Sequence, residues 1–388
     1  MALTPPGSSA VEKTADGAVV VDYAALDGKA PGNLSAAIEE AFGNHSDCLG
    51  LIIIRNVPQL SKLQTALLGR APQLAHLPLA DLQALEHPPS KYMFGWSHGK
   101  EVMNGHPDLA KGSFYANPTC NHGGADPNLQ AQYPEYYAEN LWPADAAMPH
   151  FRTAFEQLGQ LIVHVGGKVA IHCDHYLTQR LSGYQDRCLQ RLIHNSDTIK
   201  ARLLHYFAAT ETSVLRHNVD NQPTQAMVSS NDKPLDSWCG WHLDHSCLTG
   251  LTPAKYFDIR QLNHPTKLSQ SLTTNQASAL FTPCPDPAAG LYVKSRAGNI
   301  VKVTIPDQSL AFQTGEALEI LSGGFLRATP HCVRGLATAP GPRDAAPDQA
   351  YLSRNTMAVF IQPAIYDELK PGYTFAQFTK DVLHHHYG

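Results

Sequence analysis

The spacing of apolar residues changes character about halfway along the chain. In the first half helical spacing dominates. LSAAIEEAF (residues 34–42) repeats apolar positions at three and four, residues 60–86 do the same, and residues 150–192 sustain it through FRTAFEQLGQLIVHVGGKVAIHCDHYL. Two apolar runs interrupt this pattern and read as strands: Val19-Val20-Val21-Asp22, and GLIIIRNV (50–57), which Pro58 ends. Residues 1–18 are small, polar and Pro/Gly-containing, which predicts a flexible leader. Between 87 and 145, Pro, Gly, Asn and aromatic residues prevail without clear period, which predicts a long loop-like segment.

After about residue 200 short β-type runs alternate with turns: RLLHYFAA, GWHLDHSCLTGL, GLYVKS, NIVKVTI, SLAFQTG, GFLRATPHCV and NTMAVFIQP. Arg296-Ala297-Gly298-Asn299 separates two of them as a hairpin turn would. Many short, closely spaced strands favour two packed sheets. The expected class is α+β with a mainly β core: a double-stranded β-helix (jelly roll) behind a helical N-terminal region. The expected organisation is a leader over 1–18, a mixed α/β region with backing helices and a loop-rich substrate segment over 19–195, and a jelly-roll core with a short C-terminal helix over 196–388. No repeat of solenoid period is present.

Composition narrows the chemistry. The chain has 388 residues, with 29 Lys+Arg against 34 Asp+Glu and a formal charge of −5. That balance gives no drive toward nucleic acid or anionic membranes. No run approaches the ~18 apolar residues needed to span a bilayer, and the N-terminus lacks a basic head and apolar core. The 8 cysteines include no C-x-x-C pair, which fits reduced thiols and argues against zinc knuckles. A soluble, cytoplasmic, monomeric protein with a small-molecule substrate is therefore expected. The 20 histidines make metal or acid–base chemistry the first possibility to weigh.

The letters H-x-D-H occur twice. In His172-Cys173-Asp174-His175 the surroundings have helical period, where residues two apart point about 200° away from each other and cannot chelate together. This copy reads as the polar face or edge of an amphipathic helix. In His242-Leu243-Asp244-His245 the surroundings are β-type, where residues two apart share a face. A 2-His-1-carboxylate triad on iron(II) needs one more imidazole from a distant strand, and His331 in GFLRATPHCV can supply it. Arg354, opening the last strand, offers a guanidinium fork for a dicarboxylate, with the Thr356 hydroxyl two residues on. A zinc hydrolase of H-x-H-x-D-H type is disfavoured because position 240 is Gly.

These residues and their contexts resemble the plant-type, isopenicillin-N-synthase-like branch of the 2-oxoglutarate/iron(II)-dependent dioxygenases. WHLDHSCLTGL, GEALEILSGGFLRATPHCV and RNTMAVFIQP are similar to the segments that carry that family's H-x-D, distal His and R-x-S, and VVVDYAAL…AIEEAF…GLIIIRNVP resembles its N-terminal region. The resemblance implies iron(II) on His242, Asp244 and His331. It also implies 2-oxoglutarate as cosubstrate on Arg354, Thr356 and Tyr206, the last of these from RLLHYFA. The implied reaction consumes O2, releases succinate and CO2, and by default hydroxylates a small organic substrate. An iron oxidase of this fold that does not use 2-oxoglutarate, or a non-catalytic jelly-roll binding protein, stands as the alternative. Relative to the family pattern the chain carries insertions at 209–237 and 335–353. Leu204 and Phe207 also replace the family's Asn and Pro.

Substrate contacts are expected from the aromatic, Lys-containing stretch with Tyr92, Phe94, Trp96 and Lys100, which would suit a planar or anionic molecule. The same rings could equally cover the barrel. His245 reads as a structural or supporting residue beside the triad, and His384-His385-His386 as an exposed helix end.

Overall fold

A computed structural model of the chain describes residues 11–28, 34–103, 106–121, 126–212, 238–263, 280–336 and 349–387. Two sheets face each other. In the larger, the strands run Val19–Asp22, Leu51–Arg55, Leu310–Thr314, Leu248–Leu251, Leu352–Ile361, Lys200–Tyr206, Lys111–Ala116 and Gly95–His98 from edge to edge. Lys255–Asp258 also pairs with the first half of Leu352–Ile361. In the smaller the order is Ile300–Val303, Gly290–Lys294, His331–Arg334 and Cys239–His242. Together they form the double-stranded β-helix expected from the sequence, and the turn at 295–299 closes the expected hairpin.

The large sheet is buried on both faces, which explains its near-continuous apolar strands. Ile52 and Ile54 join the core under the helices, whereas Leu51 and Ile53 pack inward against Leu291 and Val293 of the small sheet. Likewise Met357, Val359 and Ile361 face the helices, while Arg354, Thr356, Ala358 and Phe360 face the space between the sheets. The outer layer is built around the helix Phe151–Arg180, with Ser35–Phe42 and Leu60–Leu68 beside it. Close approach is needed here: a Cβ at Gly250 would lie 2.3 Å from Ile162 Cγ2.

Several expectations need correction. The helical span 60–86 is broken into Leu60–Leu68, Ala71–Ala75 and Leu79–Ala84, with Gly69 and Pro78 at the breaks. The supposed loop over 87–145 contains Gly95–His98 and Lys111–Ala116, two strands that extend the large sheet. They are short and separated by turns, so no period showed. The boundary drawn at 195/196 therefore runs through one continuous sheet. Of the expected leader, residues 1–10 lie outside the described residues. Residues 11–18 fold back on Val19 through a bridge from Lys13, and Ala18 is fully buried. The insertion residues 213–237 and 337–348 also lie outside the described residues.

The first H-x-D-H sits on the helix Phe151–Arg180, as its period requires, but Asp174 does not belong to a polar face. It is 1% exposed and accepts hydrogen bonds from Tyr184 Oη (2.7 Å), Leu189 N (2.8 Å) and Gln190 N (2.9 Å), tying the helix Cys188–Asn195 to the long helix. His172 turns the other way, to the Leu26 carbonyl. Asp174→Ala is expected to strip partners from one buried and two half-buried donors and cost about 2–4 kcal/mol in denaturant unfolding, with divalent-metal affinity unchanged.

Candidate metal centre

His242 and His331 stand directly opposite each other in adjacent antiparallel strands of the small sheet, with ring centroids 4.1 Å apart. The strand ends at His242, so Asp244 lies in the following turn and is not placed by strand alternation. Instead the turn packs on Gly315, where a Cβ would lie 2.2 Å from Ser246 O. The Asp244 carbonyl accepts the Glu316 N–H at 2.8 Å. The side chain is fixed by Thr249 Oγ1 and Gln313 Nε2, each 2.6 Å from Oδ2. Oδ1 lies 3.7 Å from His242 Nε2, and one ligand atom from each of His242, Asp244 and His331 falls within 4.8 Å of the others.

His242 Nδ1 lies 2.7 Å from Gly240 O and His331 Nδ1 lies 3.0 Å from Thr329 O. A carbonyl accepts only, so each Nδ1 carries a proton, which leaves Nε2 as the nitrogen that would meet a metal. Burial, with His242 alongside, pushes the His331 imidazole down to about 4. Asp244 sits below the ordinary carboxylate range: burial opposes its charge, but His331, His242 and the two donors outweigh it. Burial opposes charge on His242 as well, but Cys239 and Asp244 outweigh it and push that imidazole up to about 9, so a metal would displace a proton there. Two imidazole nitrogens and one carboxylate on one side fit a divalent metal that keeps open positions.

The triad opens on a cavity of about 370 Å³ between the sheets. Arg354, Thr356 and Tyr206 line it too, so the structure gathers all six residues singled out for metal and cosubstrate. Arg354 lies across from Tyr206 on one neighbouring strand and Tyr256 on the other. Its guanidinium carbon is 5.0 Å from the Tyr206 ring centroid and 6.0 Å from that of Trp238. The side chain is buried, yet Nε and Nη1 have no hydrogen-bond partner among the described residues. Thr356 lies nearby, but its hydroxyl donates to the Thr252 carbonyl at 3.1 Å. A ligand there would meet its lone pairs unless the hydroxyl turns.

The proposed substrate residues are not brought here. Phe94 is fully buried beneath the Lys200 ammonium, and Trp96 packs over Gly112 in the core. Lys100 pairs with Glu86 at 2.9 Å and lies over the Tyr92 ring. None of the four lines the cavity; aromatic content in a segment of hidden strands marked core. Arg202, Leu204 and Cys239 line the cavity instead. Arg202 is held by Glu101 (2.6 Å) and Ser113 (2.9 Å). His245 pairs with Glu316 at 2.8 Å. The side chains of His384, His385 and His386 lie outside the described residues. Sequence reading missed Thr249, Gln313, Trp238 and Tyr256. Gln313 had a signal: it is the polar letter at an inward position of the apolar run LAFQT.

No family model matches the sequence, and no curated protein matches it. Solved structures do. A protein of Caulobacter crescentus described as a 2OG-Fe(II) oxygenase family member superposes with a TM-score of 0.62 at 18% identity, over 95% of this chain and 98% of that one. The chain has the fold of the 2-oxoglutarate/iron(II) oxygenases. A full-length Neurospora crassa protein, solved with α-ketoglutarate and 5-formyluracil, matches at 0.57 and 16% identity over 93% and 89%. JOX2, solved with 2OG, Fe and JA, matches at 0.58 and 15% over 94% and 84%. Among the described residues no helix of this oxygenase fold is long and apolar enough to cross a membrane.

The metal-free protein should lose stability on acidification. Burial also holds His205, hydrogen-bonded to Asn355 at 2.7 Å, down near 4. The unfolded chain protonates His205 and His331 near 6.5, where the folded chain leaves both neutral. Their contribution is complete above about pH 6.5 and disappears as pH falls toward 4. Urea midpoints measured from pH 7.5 to 4 should fall steepest in that window; a flat profile would contradict buried neutral imidazoles.

Proposed function

We propose that the chain is an iron(II)- and 2-oxoglutarate-dependent dioxygenase of the isopenicillin-N-synthase-like type. It would oxidise a small organic substrate, by default through hydroxylation, with release of succinate and CO2. The observation that carries this is Arg354. A buried guanidinium with two nitrogens unpartnered among the described residues, in the same cavity as a His-Asp-His triad, calls for an anion there. A carboxylate that also reaches the metal meets both requirements.

His242, Asp244 and His331 would hold the iron, which when bound supplies the oxygen-activating chemistry. The chain's own contributions are binding and shielding. Arg354 would take the distal carboxylate, Tyr206 and Trp238 would wall the guanidinium off from water, and Thr356 would border the same carboxylate. Arg202, Leu204 and Cys239 would face the substrate. The cytoplasmic, monomeric state expected from composition belongs to this same reading.

Adding Fe(II) and 2-oxoglutarate without oxygen should give a weak visible charge-transfer band. Arg354→Ala should weaken 2-oxoglutarate binding by about 30- to 1000-fold and remove the band at limiting cosubstrate. Asp244→Ala should lose both metal binding and succinate release. Succinate production retained in Asp244→Ala would overturn the triad. A metal-loaded protein that shows no band and makes no succinate would favour an oxidase that seats its substrate carboxylate on Arg354.

A further inference from the structure

Gln313 is fully buried and lines the cavity, and the mechanism above gives it no task. It lies directly opposite Thr249 in the register of the large sheet, and the two side chains donate to the same oxygen, Asp244 Oδ2. That oxygen carries only lone pairs, so the amide orientation is fixed: Nε2 faces Asp244 and Oε1 faces away. Nε2 is also 3.0 Å from His331 Nε2 and 3.3 Å from His331 Nδ1. Gln313 thus touches two side chains of the triad at once, the Asp244 carboxylate and the His331 ring. The second polar atom, Oε1, is buried and has no hydrogen-bond partner among the described residues.

We propose that Gln313 is a positioning residue of the metal centre. Its amide N–H and the Thr249 hydroxyl fix the orientation of the Asp244 carboxylate through Oδ2, with Oδ2 3.8 Å from His331 Nε2 and Oδ1 3.7 Å from His242 Nε2. The proposal rests on the metal reading of the triad. It extends that reading to the residues behind the ligands: Gln313 favours one orientation of the Asp244 carboxylate.

Co(II) titration of the full chain, followed by visible absorption, tests this without turnover. Gln313→Met keeps the volume and removes both polar contacts. It is expected to bind Co(II) about 10- to 100-fold more weakly, with an altered d–d spectrum. Gln313→Asn, which adds no bulk to the core, withdraws the amide by one methylene and should behave alike. A folded variant of either kind with the wild-type Co(II) affinity and spectrum would overturn the proposal. Asp244→Ala separates the two levels: if it too binds Co(II) like the wild type, the metal reading fails, whatever Gln313 does.

Discussion

The strand Leu352–Ile361 is covered on both faces, and this constraint organises the rest of the structure. One set of alternate residues, Met357, Val359 and Ile361, must be apolar to meet the helix layer. The other set is freed from that task and faces the space between the sheets, where Arg354 and Thr356 stand. The same division runs through Leu310–Thr314, with Phe312 outward and Gln313 inward, and through Lys200–Tyr206, with Leu203 outward and Tyr206 inward. A shift of one residue in register would exchange the two sets and place a guanidinium under the helices. The helices therefore fix the site they never touch. Packing on the outer face enforces the register that aims the polar residues inward.

That logic also explains what the sequence disclosed. His242, Asp244, His331, Arg354, Thr356 and Tyr206 were legible because each lies in or beside a run whose β character is plain, and alternation assigns a face. The helix Phe151–Arg180 was legible from its period, which also exposed the first H-x-D-H as unable to chelate. The span 87–145 was not. Its two strands in the large sheet hold four and six residues, Gly112 makes room for Trp96, and the inner face of Lys111–Ala116 carries Lys, Ser and Tyr ion-paired or hydrogen-bonded with Glu101 and Arg202. Such strands have no apolar alternation to read, and their aromatics looked like substrate contacts when they were core. Asp244 shows a subtler limit: the expected neighbour relation held, but for a tertiary reason. Thr249, Gln313 and Gly315 place it, all from other parts of the large sheet and its turn.

The orphaned polar atoms join these observations. A buried polar group without a partner costs about 1–3 kcal/mol, and a charged one more. Proteins therefore rarely keep them in a core that Leu or Met could fill. Here the cavity holds two such sites, the Arg354 guanidinium at one end and Gln313 Oε1 beside the triad. The first is the complement of an anion and the second of a hydrogen-bond donor. Neither would stabilise the empty fold, so their retention is a cost borne by the unliganded protein. In the proposed function a dicarboxylate would satisfy the guanidinium. The spacing of unmet hydrogen-bonding demand along the cavity thus describes the shape and polarity of what belongs there.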